Sequence, residues 1–387
     1  MWRGLFLAFP ALARRYAFPT SSVVASEIAS RVIADTSTPV PGDFTAKQMA
    51  EIVLPAVAND NLRGLVRDNL RGSTTPGSSW LVRQVALIPD CSVLGHARIV
   101  TRTRDGAMLS LKAEAIPDWN NAKPRRLKTR RFREGLVTSL QDKHYYHFFE
   151  RLLGLLDYLD REHERGTPLT VLVPAHGAAF QREARAAVIK AYPEVSFVEL
   201  GRNERAEVAN YLWQYELIDN SEWLPVTAER AARLAAMLRT HYGQPEPKGG
   251  ERLFLSRGNV KMRRLLNEAE LEEIAAAHRF RRFEAVSGNH AEQVARFGNA
   301  DVIVSVHGAG FTNLLFARPG AAVVELFPQN CVKSSYLWLS NRLHLHHYPL
   351  LGTVGDYHQS FRVDPDRFAA KLDEVLAHQA QGRSTAA

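Results

Sequence analysis

The sequence predicts an α/β protein made of two Rossmann-like domains that face each other across a cleft. Three observations carry this expectation. Asp301–Val306 is a β-branched run, followed by His307-Gly308-Ala309-Gly310, a helical stretch over Phe311–Ala317, Pro319-Gly320 and a second apolar strand, Ala322–Phe327. Strand, glycine-rich turn, helix, strand is a βαβ unit, which builds parallel sheets. Strand and helix patterns alternate in two successive blocks, one on each side of residue 245. Between the blocks lies Gly243-Gln244-Pro245-Glu246-Pro247-Lys248-Gly249-Gly250, where Pro and Gly end a helix and disfavour regular pairing. It reads as an interdomain linker.

Residues 1–79 form a mixed, partly helical N-terminal region, with a helical segment near Ala46–Val53 and a break at Gly72–Ser79. From Trp80 to Lys112 short alternating runs (Trp80–Ile88, Arg98–Thr101, Ala107–Leu111) indicate a small antiparallel element, with Asp105-Gly106 as a hairpin turn. The first Rossmann-like domain is placed at 80–243. Its strands are Gly135–Leu140, Leu169–Pro174 and Val195–Leu200; its helices are Lys143–Arg161, Ala178–Ala191 and Val226–Tyr242. The second domain, 251–350, adds strands Arg252–Ser256, Phe280–Ala285 and Leu343–Pro349 to the βαβ unit. Its helices are Glu268–Ala277, His290–Phe297 and Ser334–Asn341. A last amphipathic helix within 364–380 starts at an Asp-Pro-Asp cap, Asp364 to Asp366.

At 387 residues there is room for two ordinary domains. Cys91 and Cys331 are far apart and have no CxxC partner, which argues against a disulfide scaffold and suits a reducing, cytoplasmic setting. The net charge of +8 fits anionic small molecules, an anionic membrane surface or nucleic acid. The densest basic run, Lys123–Arg133, reads as an exposed connection. Only Phe132 interrupts it, so a nucleic-acid role lacks the aromatics that would support it. The N-terminal MWRGLFLAFPALARRY is too short to span a bilayer. It fits a weak peripheral anchor and equally a packed or disordered end.

The glycines of His307–Gly310 fall where a helix begins, so free N–H groups and a partial positive charge are offered there to a phosphate. A tight turn alone also calls for glycine. HGAG also resembles the oxyanion loop of esterases, but the chain has no Gly-x-Ser-x-Gly elbow. Arg257 ends a strand, where a guanidinium can pair two phosphate oxygens. Arg263 and Arg264 precede the next helix and point in different directions, and Asn267 reads as that helix's N-cap. Glu325 ends a strand and suits ribose hydroxyls. In the first domain His147 and Glu150 are three apart on one helical face, a histidine with a supporting carboxylate. Burial of that face offers the alternative of a satisfied interior pair, and a metal site with His144 lacks a fourth ligand. His344 and His346 share a strand face and read as edge residues.

Taken together, these stretches resemble glycosyltransferase family 61 over roughly residues 80–350. The resemblance rests on His144-Tyr145-Tyr146-His147-Phe148-Phe149-Glu150, on Ser256-Arg257 with Arg263-Arg264-Leu265-Leu266-Asn267-Glu268, and on Glu292-Gln293, HGAG with Thr312-Asn313, and Glu325-Leu326-Phe327-Pro328. It implies a GT-B-like fold with the nucleotide sugar held mainly by the C-terminal domain. It also implies an inverting transfer, without cofactor or bound metal, from a nucleotide-diphosphate donor, expected to be a UDP-sugar, to a glycan or polysaccharide hydroxyl. Known relatives transfer N-acetylglucosamine or xylose, and bacterial relatives are linked to capsular or other surface polysaccharides. On this reading Arg257, Arg264 and the Gly308, Ala309 and Gly310 amides take the diphosphate. His307, Thr312, Asn313 and Glu325 shape the donor pocket, and His147 with Glu150 supplies the base. A non-catalytic sugar-nucleotide or glycan-binding protein of the same fold, and more remotely a basic nucleic-acid-binding protein, are the alternatives. At Phe311 and Phe148 the family more often has Leu and Trp, which bears on fine specificity.

Overall fold

The computed structural model describes residues 22–24, 29–39, 80–95, 100–104, 107–110, 127–140, 144–218, 226–258, 260–333 and 335–386. The helix expected near Ala46–Val53, the Asp105-Gly106 turn and the first 21 residues lie outside them. The chain separates into two compact units, Met1–Thr38 with Leu81–Leu217, and Pro39–Trp80 with Ile218–Ala387.

The first unit carries one ten-stranded sheet. Its strands are β1 (Ser22–Val24), β2 (Arg31–Pro39), β3 (Trp80–Leu94), β4 (Val100–Arg102), β5 (Met108–Ser110), β6 (Lys128–Phe132), β7 (Leu136–Ser139), β8 (Leu169–Pro174), β9 (Val195–Leu200) and β10 (Glu204–Ile218). The order is β1-β5-β4-β3-β10-β7-β8-β9, with β2 beside β3 and β6 beside β10. One part is a parallel βαβαβ: β7, helix α1 (Tyr145–Arg161), β8, helix α2 (Ala179–Ala191), β9. The other part, β3-β4-β5, is the expected antiparallel element. In α1, Phe148, Phe149, Leu152, Leu155, Leu156 and Leu159 recur at helical spacing and are buried. Tyr145, Phe148 and Phe149 close against Phe180 of α2, with centroids 4.7 to 6.1 Å apart.

In and after the basic run, two segments differ from the sequence reading for one shared reason. Within the basic run, Lys128–Phe132 is a strand, β6, paired in parallel with the unanticipated β10. Arg130 meets Glu204 at 3.7 Å and Arg131 meets Glu207 at 3.1 Å. Cross-strand charge pairs like these stabilise a sheet face while erasing the apolar alternation that advertises a strand.

The second unit starts with helix α3 (Ala228–Tyr242) and holds five strands: β11 (Glu251–Ser256), β12 (Arg281–Glu284), β13 (Ala300–Val306), β14 (Ala322–Phe327) and β15 (His346–Leu351). All neighbours pair in parallel, in the order β12-β11-β13-β14-β15. β13 and β14 are buried at every residue, as expected for a sheet covered on both faces. Helices α4 (Glu268–Ala277), α5 (His290–Asn299), α6 (Ser335–Arg342) and α7 (Pro365–Ala386) complete the unit. One core joins Val302, Val304 and Val324 of the sheet to Leu271 of α4 and to Phe361, Phe368 and Leu372. Asp364 Oδ1 accepts from the Arg367 amide at 2.9 Å, the cap read from the sequence. Between β11 and β13 the strand order reverses, and the carboxyl ends of the strands at such a point frame a ligand crevice.

The Gly243–Gly250 run lies inside this unit, since the division falls at Leu217/Ile218. It is pinned to α5 and β13: Asn299 Oδ1 accepts from the Lys248 and Gly249 amides, and Asp301 Oδ2 from the Gly250 amide at 2.9 Å. Asn267 sits at the start of α4, but its side chain does not cap that helix. It donates to Val363 O at 2.8 Å and accepts from Val363 N at 3.1 Å, tying α4 to the approach of α7.

Candidate active site

Arg257 follows β11 directly, at the point where the sheet reverses. Its backbone N–H donates to Glu268 Oε1 at 3.2 Å, and its Nη1 donates to the His307 carbonyl after β13. The guanidinium lies over Gly308, where a Cβ would fall on Nη1 and Cζ. Gly308 has φ 172° and ψ 172°, an extended backbone open to any residue, so glycine is needed there for space. At Gly310 an added Cβ would stand 3.0 Å from Leu255 Cδ2. The two glycines therefore admit neighbouring side chains as well as a ligand. The turn then forms a 3₁₀ helix, Ala309–Phe316, in place of the expected α-helix over Phe311–Ala317.

A pocket of about 220 Å³ opens at the carboxyl ends of β11, β12 and β13. Ser256, Arg257, Ala285, Val286 and the Gly308–Gly310 backbone line it. Burial, and then the charge of Arg263, pull the Arg257 pKa down to about 10, still protonated at neutral pH.

Beneath the turn runs a buried polar chain. His307 Nδ1 meets Glu325 Oε1 at 2.6 Å, and Glu325 Oε2 meets His347 Nε2 at 3.0 Å. Ser340 Oγ holds His347 Nδ1 at 2.9 Å. Burial drives both imidazoles toward the neutral form, His347 to about 3 and His307 well below its usual value. Burial pushes the Glu325 carboxyl well up, opposed by Arg263. The His307 ring stacks on Phe327 and leans on Tyr336, fixing its plane.

Of the residues singled out in the sequence, Arg257, Gly308, Ala309 and Gly310 line the pocket. Thr312, Asn313 and Glu325 are fully buried at 0% exposure, so the structure places them behind the turn. The Thr312 hydroxyl is buried with no hydrogen-bond partner among the described residues. Asn313 donates to Gly310 O and to Gln293 Oε1, both at 2.9 Å, and Gln293 donates to Val286 O on the pocket lip. Gln293 thus joins the turn to β12's end. Arg264 is exposed, whereas Arg263 is partly buried. His344 and His346 are exposed as expected, and the third histidine of that strand, His347, enters the polar chain. Among the described residues no group of three or more His, Cys, Asp or Glu is arranged to hold a metal ion, and no helix is long and apolar enough to cross a membrane.

In the first unit, His147 Nδ1 meets Glu150 Oε2 at 2.9 Å on α1, and both side chains keep access to solvent. That is the geometry of a carboxylate-oriented imidazole.

Residues 145–324 match the family described as Glycosyltransferase 61. A 92-residue segment is 38% identical to Protein O-linked-mannose beta-1,4-N-acetylglucosaminyltransferase 2 of Mus musculus, covering 23% of this chain and 15% of that protein. The Bos taurus protein of the same name is 41% identical over 83 residues, 20% of this chain and 14% of that protein. The matched segments span only a small part of those relatives' length. The segment that carries this similarity runs from α1 into β14 and includes the Arg257 and His307–Gly310 stretches.

Proposed function

We propose that this protein is an inverting, metal-independent glycosyltransferase that moves a sugar from a UDP-sugar to a glycan or polysaccharide hydroxyl. The observation that carries this reading is the pocket at the strand-order reversal, with the Arg257 guanidinium set over Gly308. Backbone amides of the Gly308–Gly310 turn and a forked cation suit a diphosphate. The nucleoside and sugar take the remaining space. The family match supports sugar transfer, and the named relatives, by their names, place N-acetylglucosamine on O-linked mannose. We further propose a GT-B-like arrangement of the two units and a cytoplasmic location, with the N-terminus in peripheral contact with a membrane.

Inversion is one displacement at the anomeric carbon: a base takes the acceptor proton as the diphosphate leaves from the opposite face. His147 is the base in this reading, with Glu150 holding its Nδ1–H so that Nε2 is free to accept. Arg257 and the turn amides stabilise charge growing on the leaving diphosphate. Thr312, Asn313 and Glu325 act from behind the turn by holding its shape.

A ligand bound only by the folded state raises the melting temperature. In a panel of ADP, GDP, UDP and UDP-sugars, UDP and one or more UDP-sugars should raise it by several degrees. Arg257→Ala should remove most of that rise. A panel in which no nucleotide shifts melting contradicts the reading.

A further inference from the structure

Where strands of a parallel sheet end, backbone polar groups lose their strand partners and must find others. On one side of the pocket these groups belong to Glu284 and Val286 at the end of β12, and on the other to the Gly308–Gly310 turn. Side-chain carboxamides meet them on both sides. Asn289 Nδ2 donates to Glu284 O at 2.9 Å, and Asn289 Oδ1 accepts from the Val286 amide at 3.0 Å. Gln293 Nε2 donates to Val286 O at 2.6 Å and to Asn289 Oδ1 at 2.9 Å. Gln293 Oε1 accepts from Asn313 Nδ2, which also donates to Gly310 O, both at 2.9 Å.

A primary amide carries two N–H bonds, and in Gln293 and Asn313 both find an acceptor. These two residues are 2% and 0% exposed, so water does not compete for the contacts between them. The mounting is fixed as well: His290, the first residue of α5, meets the Tyr242 hydroxyl of α3 at 2.7 Å. The arrangement also decides what the β12 wall can offer a ligand. With the Val286 N–H and C=O both bonded to carboxamides, that wall is left with the apolar side chains of Ala285 and Val286. An apolar wall recognises by fit, so its distance from the opposite wall governs what it grips.

We propose that Asn289, Gln293 and Asn313 form a brace that sets the gap between the two walls of the pocket, and that Gln293 is a positioning residue for the nucleoside part of the ligand. That the ligand is a nucleotide rests on the function proposed above; the brace itself does not. Gln293 acts through Val286 and Gly310, so it governs fit and leaves the charge of Arg257 unchanged.

The test uses the full chain and two variants. Gln293→Met keeps the buried volume and removes the polar contacts, and Asn289→Ala changes a half-buried position where the fold is less at risk. UDP and inorganic pyrophosphate are titrated calorimetrically, and hydrogen exchange of the Val286 amide is followed in the ligand-free proteins. Both variants should bind UDP roughly tenfold more weakly than wild type, and pyrophosphate within about twofold of it. Val286 exchange should quicken by about tenfold. Equal losses for UDP and pyrophosphate would overturn the proposal, since a site that merely loosens loses both. Unchanged Val286 exchange in both variants would overturn it as well. Wild-type protein that binds pyrophosphate but not UDP, with quickened Val286 exchange in the variants, would uphold the brace and overturn the nucleotide reading.

Discussion

Replacing Gly308 by Ala should weaken UDP binding by roughly ten- to a hundredfold, the scale of one lost hydrogen bond to a charged group, but only while Arg257 is present. The added methyl would occupy the place of Nη1 and Cζ, and the guanidinium would have to swing away from the His307 carbonyl. The extended φ at Gly308 accepts alanine, so backbone strain is not part of the effect. In an Arg257→Ala background the same change should cost less than about threefold, because the obstructed group is gone. Such non-additivity is the signature of two residues acting through one contact. The measurement is a double-mutant cycle on UDP affinity. Additive losses would mean that Gly308 meets the ligand itself and that Arg257 does not depend on it.

The second large effect is expected at Glu325. Glu325→Ala removes the acid that His307 hydrogen-bonds and His347 faces at 3.0 Å and leaves a neutral buried imidazole unpaired, which should cost about 2 kcal/mol of stability. Urea unfolding would read it, and Glu325→Gln, which keeps an acceptor and a donor at the same place, should recover much of the loss. The imidazoles also set the sign of a pH dependence. His347 is held neutral to about pH 3 when folded, while the unfolded chain takes up its proton near the usual value of about 6.5. Its contribution to stability is therefore present above that unfolded value and is lost as pH falls toward 3. Loss of less than about 1 kcal/mol in Glu325→Ala would show that the chain of contacts is not structural.

The second unit was far more legible in the sequence than the first. β13 and β14 are continuous apolar runs because both faces are covered, and such runs announce themselves. β10 could not be seen the same way, since its Glu204 and Glu207 are matched to arginines on β6. Within the candidate site, the motif was readable and the direction of its side chains was not. Thr312, Asn313 and Glu325 belong to the motif, but only the fold shows that they stand behind the turn. His347 was passed over although alternation separates it from the exposed His344 and His346: periodicity gives the face, and only the fold shows that this face meets Glu325. The 3₁₀ geometry at Ala309–Phe316 reflects a short connection closed by Pro319 and tied by Asn313 to Gly310, neither of which periodicity reports.

The central claim is that a nucleoside diphosphate rests at the carboxyl ends of β11, β12 and β13. A crystal structure of the chain with UDP tests it most directly. The expected result places diphosphate oxygens within about 3.2 Å of the Arg257 guanidinium and of amides in the Gly308–Gly310 turn, with the uridine in the adjoining pocket. UDP bound elsewhere on the chain, or a pocket left empty at saturating UDP, would contradict the account.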